Sequence, residues 1–124
     1  MGRYFHTKML EPDKAEDKEF DAIESSTRRT KTYTESIVDS KFDILMLQSE
    51  KDNIDAMVTK MKGNFSFTMD IYEEGNKFEQ PAIQEIGGLM FKGKADVVGD
   101  SFVYDLKTTN SLERFKYSAR DYNY

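Results

Sequence analysis

The stretch GLMFKGKADVVGDSFVYDLKTT, Gly88 to Thr109, decides the fold, because it contains two runs with the pattern of neighbouring β-strands. LMFKGKADVV predicts one strand, GDS a turn, and the alternating FVYDLKT a second strand. Asp96 lies in the first run, and Asp105 and Lys107 lie in the second. Two carboxylates and an ammonium group are therefore expected in the part of the chain that most resembles a core.

These three charged residues suggest a metal site. Alternation places Asp105 and Lys107 on one face, about 7 Å apart at the rise of a strand. The short turn brings Asp96 near Asp105, and two adjacent carboxylates repel each other unless a cation lies between them. Their oxygen atoms suit Mg²⁺ or Mn²⁺, and a nearby lysine could assist a water nucleophile or a phosphate. From spacing alone, however, an exposed Asp–Lys ion pair is the commoner explanation.

Two helices are predicted upstream. Apolar residues at helical spacing predict the longer one: Ile54, Met57, Val58 and Met61. Ser49 is its predicted N-cap and Gly63 its end. RYFHTKML, residues 3–10, predicts a short helix with Phe5 and Met9 on one face.

Other segments complete an α+β pattern. FSFTMDIY, residues 65–72, alternates strictly and predicts a strand, whereas FDILML, residues 42–47, fits a strand or the lead-in to a helix. EQPAIQEI, residues 79–86, predicts a strand in which Pro81 indicates an edge position or a strand start. Ser111 is the predicted cap of a last helix, whose inward residues are Leu112, Phe115 and Ala119.

The segments between these elements are polar. Residues 14–24 predict a solvated helix or loop, and residues 25–36 an exposed loop. Arg28, Arg29 and Lys31 in this loop could contact nucleic-acid phosphates, although such a loop is more often only soluble surface.

Composition excludes several classes of protein. The 124 residues suit one domain spanning residues 1–124, and the apolar fraction of 38% suits a folded chain. The absence of cysteine excludes disulfides and thiolate metal sites. A net charge of −5 argues against a general polyanion binder. No membrane-length apolar run or secretory signal is visible, so a cytoplasmic location is expected.

The order of the motifs resembles the core of PD-(D/E)XK nucleases, and more narrowly the RecE-like phage and bacterial exonucleases. GRYFHTKMLEP is similar to their G-x-x-x-H motif followed by LEP. GLMFKGKAD, DLKTT and DYNY then follow in the family order. The resemblance covers nearly the whole chain, and each motif alone is weak. It implies a restriction-endonuclease-like α/β core, with a mixed central sheet, antiparallel hairpins and flanking helices.

The resemblance also implies roles for individual residues. Asp96 and Asp105 correspond to ligands of Mg²⁺ or Mn²⁺, and His6 to the metal-associated histidine. Glu79 best matches the upstream acid, with Glu85 as an alternative, and Lys107 matches the catalytic lysine. The hydroxyl groups of Thr108 and Thr109 could face a phosphate, although these threonines more simply continue the strand.

The resemblance leaves two hypotheses from different classes. The first is a metal-dependent deoxyribonuclease, expected to be a 5′–3′ exonuclease of phage-type recombination. The second is a non-catalytic nuclease-fold remnant that binds DNA or a protein. Relatives continue beyond the tyrosine motif into a further helix and strands, so the chain is expected to be a partial domain. Its expected partners are DNA and either a recombination protein or a complementing nuclease fragment.

Overall fold

A computed structural model describes residues 2–15 and 19–121 of the chain. The helices are α1 (Gly2–Leu10), α2 (Pro12–Ala15), α3 (Lys31–Asp39), α4 (Gln48–Lys62), α5 (Phe65–Ile71) and α6 (Phe115–Asp121). The strands are β1 (Phe20–Ile23), β2 (Ile44–Leu47), β3 (Lys77–Ile86), β4 (Leu89–Val98) and β5 (Val103–Tyr104). The tyrosines of the DYNY motif, Tyr122 and Tyr124, lie outside the described residues.

The strands form two small sheets. β1 and β2 pair in parallel, and β3, β4 and β5 form an antiparallel sheet in that order. The predicted mixed α+β architecture, with antiparallel hairpins flanked by helices, is confirmed. No helix within the described ranges is both long and apolar enough to cross a membrane.

The β3–β4 hairpin matches the sequence prediction closely. Its strands pair from Lys77 opposite Val98 to Ile86 opposite Leu89. Gly87 and Gly88 close the turn with φ angles of 60° and 81°, which glycine adopts without the clash of a Cβ atom. β3 is an edge strand of its sheet, one of the two positions that Pro81 indicated.

The core lies between α1, α4, β2, α5 and the end of β4. Its most deeply buried side chains are those of Phe5, Met9, Met46, Ile71 and Val97. Phe5 and Met9 share a helix face, as predicted, and α1 packs against both α4 and β4. This packing fixes the side of α1 that carries His6 relative to the antiparallel sheet.

The strand predicted for residues 65–72 is wrong, because the segment forms α5. The Asn64 side chain accepts a hydrogen bond from the Phe67 amide at 3.1 Å and so caps the helix. Ile71 is fully buried and Phe67 packs beside the core, a spacing of four residues that suits one face of a helix. Phe65 and Met69, which alternation placed with them, are exposed.

The cap provides a test of this helix. Replacing Asn64 with alanine should destabilise the protein by about 1 kcal/mol, since the Phe67 amide loses its acceptor. Thermal unfolding should occur roughly 4 °C lower. Ser66→Ala, on the exposed side of α5, is the matched control and should leave the midpoint within about 1 °C, because alanine is the better helix former. Equal effects of the two substitutions would argue against the cap.

The other differences concern polar segments and element ends. Residues 20–23, predicted as helix or loop, form β1, and residues 31–36 of the predicted loop belong to α3, which Thr30 caps. α4 begins at Gln48, so Ser49 lies inside the helix, and Glu50 accepts the Leu47 amide instead. The predicted strand over residues 102–108 is paired only at Val103–Tyr104.

The last helix begins later than predicted. α6 starts at Phe115, and the Ser111 hydroxyl lies one turn earlier, where it accepts from the Arg114 amide at 3.4 Å. Leu112, expected to face inward, is 86% exposed, and α6 has no buried residue. The helical spacing of Leu112, Phe115 and Ala119 therefore did not identify a buried helix face.

Candidate metal centre

Three side chains from distant parts of the chain meet beside the antiparallel sheet. His6 comes from α1, Glu79 from β3 and Asp96 from β4. One potential ligand atom from each lies within 4.8 Å of the others. Of the acids considered as the upstream match, the structure brings Glu79 and not Glu85 into this cluster, since Glu85 lies near the exposed tip of the hairpin.

The hydrogen bonding of His6 leaves one ring nitrogen facing the acids. Its Nε2 lies 2.7 Å from the Leu106 carbonyl oxygen, which can only accept, so Nε2 carries the hydrogen. Nδ1 then faces the acids, at 3.5 Å from Asp96 Oδ1 and 3.7 Å from Glu79 Oε1. A backbone carbonyl on one nitrogen and a ligand position on the other is the usual arrangement of metal-binding histidines.

Asp96 is the buried acid of the cluster. It is only 5% exposed, and its Oδ2 accepts a 2.6 Å hydrogen bond from the Leu106 amide. Aspartate is rarely so buried unless its charge is paired or bound to a metal. Leu106 therefore holds both His6 and Asp96 through its backbone, while its side chain enters the core.

Glu79 has an unusual backbone conformation. Its φ angle is 51°, in the left-handed region that non-glycine residues seldom occupy. The register places it opposite Asp96, since its neighbour Phe78 pairs with Val97. Glu79 Oε1 faces His6, and Oε2 forms an ion pair with Lys94. Such conformations cost about 1–3 kcal/mol and are concentrated at functional sites.

The donor set fits a divalent metal ion. Carboxylate oxygens suit Mg²⁺ and Mn²⁺, and an imidazole nitrogen is a ligand typical of transition-metal ions. Ligands at about 2.1 Å from one ion lie no more than about 4.2 Å apart. The distances from His6 Nδ1 to both carboxylates are within that limit. The cluster can therefore hold a metal with small side-chain movements.

The remaining predicted catalytic residues are the neighbours of Leu106 in the sequence, and they lie outside the cluster. Asp105 and Lys107 flank Leu106, and Lys107 Nζ donates to Asp105 Oδ1 at 2.8 Å. Both residues are exposed. The predicted grouping of Asp96 with Asp105 is thus replaced, among the described residues, by Asp96 with Glu79 and His6.

The residues predicted to contact nucleic acid lie in other parts of the fold. Arg28 donates to Glu50 Oε2 at 2.7 Å, a hydrogen bond that raises the pKa of Arg28, and Lys31 forms an ion pair with Glu35. Arg29 and Thr108 are exposed, and the Thr109 hydroxyl donates to the Ser111 carbonyl. These contacts do not bring the group to the His6 cluster.

Sequence reasoning missed two groups at the centre. Lys94, the ion-pair partner of Glu79, is two residues from Asp96, so the alternation of β4 could have placed it on the same face. The backbone of Leu106 gave no signal, because any residue supplies an amide and a carbonyl. A cleft of about 440 Å³ opens at the centre, and its lining includes His6, Glu79 and Lys94.

Comparison with known proteins identifies the family. A family described as a PDDEXK-like domain of unknown function matches residues 1–124. No curated protein and no solved structure gave a match. The family match confirms the resemblance to the PD-(D/E)XK superfamily and extends over the whole sequence. The chain belongs to this family of PDDEXK-like domains, and its fold is of the nuclease type.

Proposed function

We propose that the domain is a metal-dependent deoxyribonuclease that hydrolyses DNA phosphodiesters with Mg²⁺ or Mn²⁺. The observation that carries the proposal is the cluster of His6, Glu79 and Asp96, oriented by the Leu106 backbone, in a PDDEXK-like domain. A buried aspartate and a glutamate with a left-handed backbone both face the second ring nitrogen of this histidine.

Each side chain has a proposed role in the reaction. His6, Glu79 and Asp96 would hold the ion, and Asp105 would add a carboxylate from the residue next to Leu106. A Mg²⁺ or Mn²⁺ ion held there would supply Lewis-acid chemistry to the phosphate and make a bound water more acidic. Lys107 donates hydrogen bonds to the water or to the phosphate oxygens as negative charge develops on them. The cleft lined by His6, Glu79 and Lys94 is the proposed entry for the phosphate.

We further propose that the enzyme is a RecE-like 5′–3′ exonuclease that acts in phage-type recombination. The support is the order of the GRYFHTKMLEP, GLMFKGKAD and DLKTT motifs, which resembles that of these exonucleases. A recombination protein is the corresponding partner. Linear and circular duplex DNA, incubated separately with the chain and Mg²⁺ or Mn²⁺, test this proposal: only linear DNA should be degraded, from its 5′ ends.

A second candidate function is a non-catalytic module with a nuclease fold that binds DNA or a protein. The observation that favours it is the exposed ion pair between Asp105 and Lys107, which engages both residues with each other and not with the cluster. Degradation of neither DNA form, with either metal, would make this candidate the leading one.

Metal binding should stabilise the folded protein. At a metal concentration about 100 times Kd, the free energy of unfolding should rise by about 2.7 kcal/mol, because only the folded chain brings the three ligands together. Thermal unfolding with Mn²⁺, with Mg²⁺ and with a chelator measures the change. Glu85→Gln, which removes an exposed acid outside the cluster, should keep the full increase. No increase for the unsubstituted protein would contradict the assembled site.

A further inference from the structure

The charges of the β3–β4 hairpin are confined to one of its faces. Directly paired residues share a face of a sheet, so the register assigns every side chain. The face that carries Asp96 holds all the ionisable residues of the two strands: Lys77, Glu79, Glu85, Lys92, Lys94 and Asp96. The opposite face holds only uncharged residues: Phe78, Gln80, Ala82, Gln84, Ile86, Leu89, Phe91, Gly93, Ala95 and Val97.

Two lysines on the charged face form a row that begins at the metal centre. Along β4, Lys94 is two residues from Asp96, and Lys92 is two residues further. At the rise of a strand, each step is about 7 Å. Lys94 reaches the centre itself through its ion pair with Glu79, whereas Lys92 stands toward the exposed end of the hairpin. The row therefore connects the candidate ligands to open solvent.

Lys92 differs from two of the three basic residues near the start of α3. Arg28 and Lys31 have carboxylate partners, namely Glu50 and Glu35. Lys92 has no carboxylate within ion-pair distance among residues 2–15 and 19–121. Its directly paired neighbour across the hairpin is Ile83, which cannot neutralise it. Its positive charge is thus available to a ligand from outside.

We propose that Lys92 and Lys94 bind the sugar–phosphate backbone of the DNA strand that enters the metal centre. This inference rests on the proposed function, and it names the surface that guides the substrate. Each strand of a duplex carries one phosphate per about 3.4 Å of helix axis, so two lysines about 7 Å apart can each contact a phosphate of the same strand. The positive charge of the two lysines is local, so it is compatible with a domain whose net charge is −5. Backbone contacts of this kind position a strand without selecting its sequence.

Lys92 is the residue to test, because it stands apart from the proposed metal ligands. Binding of a short fluorescein-labelled single-stranded DNA to the full chain is measured by anisotropy in Ca²⁺ at several salt concentrations. Denaturing gels confirm that the probe stays intact. Lys92→Gln should reduce the slope of log affinity against log salt by about 0.7, the value for one phosphate contact on a single strand. Lys92→Arg should keep the slope, since it keeps the charge.

Moving the positive charge to the other face of the hairpin by substitution supplies the matched control. Gln84 is exposed on the uncharged face, opposite Phe91. The double variant Lys92→Gln with Gln84→Lys has the net charge of the unsubstituted chain, but its cation lies on the wrong face. We expect it to bind as weakly as Lys92→Gln alone. Circular dichroism of each variant checks that the hairpin substitutions leave the fold intact.

Three results would overturn the proposal: no binding of the probe, an unchanged salt slope for Lys92→Gln, or full recovery in the double variant. The last would mean that only overall charge matters. None of these results bears on hydrolysis, which is measured separately on linear DNA. If linear DNA is cleaved but Lys92→Gln does not change the salt slope, the nuclease proposal stands and the Lys92 proposal fails. If Lys92→Gln changes the slope but no DNA is cleaved, the Lys92 proposal stands and the nuclease proposal fails.

Discussion

Replacing Asp96 with asparagine should weaken Mn²⁺ binding by at least about 100-fold and abolish DNA cleavage. Removing a group that only orients a metal ligand typically lowers metal affinity or activity roughly 10- to 100-fold. Asp96 is proposed to be a ligand itself, so a larger loss is expected. The asparagine Oδ1 can still accept the Leu106 amide, so the buried hydrogen bond is retained. Calorimetric titration with Mn²⁺ measures the affinity, and release of labelled nucleotides measures the rate.

Two comparisons make the Asp96 result specific. Glu85→Gln removes a carboxylate from the same face of the hairpin, outside the cluster, and should bind Mn²⁺ like the unsubstituted protein. Thermal unfolding in a chelator should show that Asp96→Asn is folded. If folded Asp96→Asn bound Mn²⁺ normally, the cluster of His6, Glu79 and Asp96 would not be the metal site.

Lys107→Ala should lower the cleavage rate about 100- to 1000-fold while leaving Mn²⁺ affinity nearly unchanged. The ammonium group is not a ligand, and removing a donor that stabilises developing charge costs roughly 3–4 kcal/mol in the transition state. Lys107→Arg should recover only part of the rate, since a planar guanidinium cannot place a donor where the compact ammonium was. Cleavage rates and calorimetry on the same preparations separate the two effects.

The partner of Lys107 provides the contrasting variant. Asp105→Ala also breaks the 2.8 Å ion pair, but it removes a proposed ligand and should lower Mn²⁺ affinity as well as the rate. A Lys107→Ala protein that cuts at the normal rate would show that the lysine is only a surface partner of Asp105. If the unsubstituted chain binds Mn²⁺ but does not cut DNA, the non-catalytic function becomes the better explanation.

The sequence predicted the hairpin well because its signals are local. The run LMFKGKADVV, followed by the GDS turn, has the observed ends of β4. Alternation failed for residues 65–72, where four apolar residues alternate although only Phe67 and Ile71 face the core. The capping contact of Asn64 and the packing of Ile71 outweighed an alternation that both secondary structures can accommodate.

The candidate site was predictable only in part. His6 and Glu79 were selected through motif resemblance, since they are 73 positions apart and no local spacing relates them, whereas the strand and turn pattern already selected Asp96. The sequence could not show that the strand containing Asp105 stops pairing after Tyr104, which leaves Asp105 and Lys107 bound to each other. It also could not show the left-handed conformation of Glu79, because that depends on the surrounding fold.

The contact between His6 and the Leu106 carbonyl has a consequence for the order of events during synthesis. It joins residues 100 positions apart, so the centre closes one of the longest loops in the chain. Long-range contacts form late in folding, because the loop entropy must be overcome first. A nascent chain emerging from the ribosome cannot orient His6 and Asp96 until Leu106 has been added. The candidate metal centre can therefore form only after every residue from His6 to Leu106 has been added.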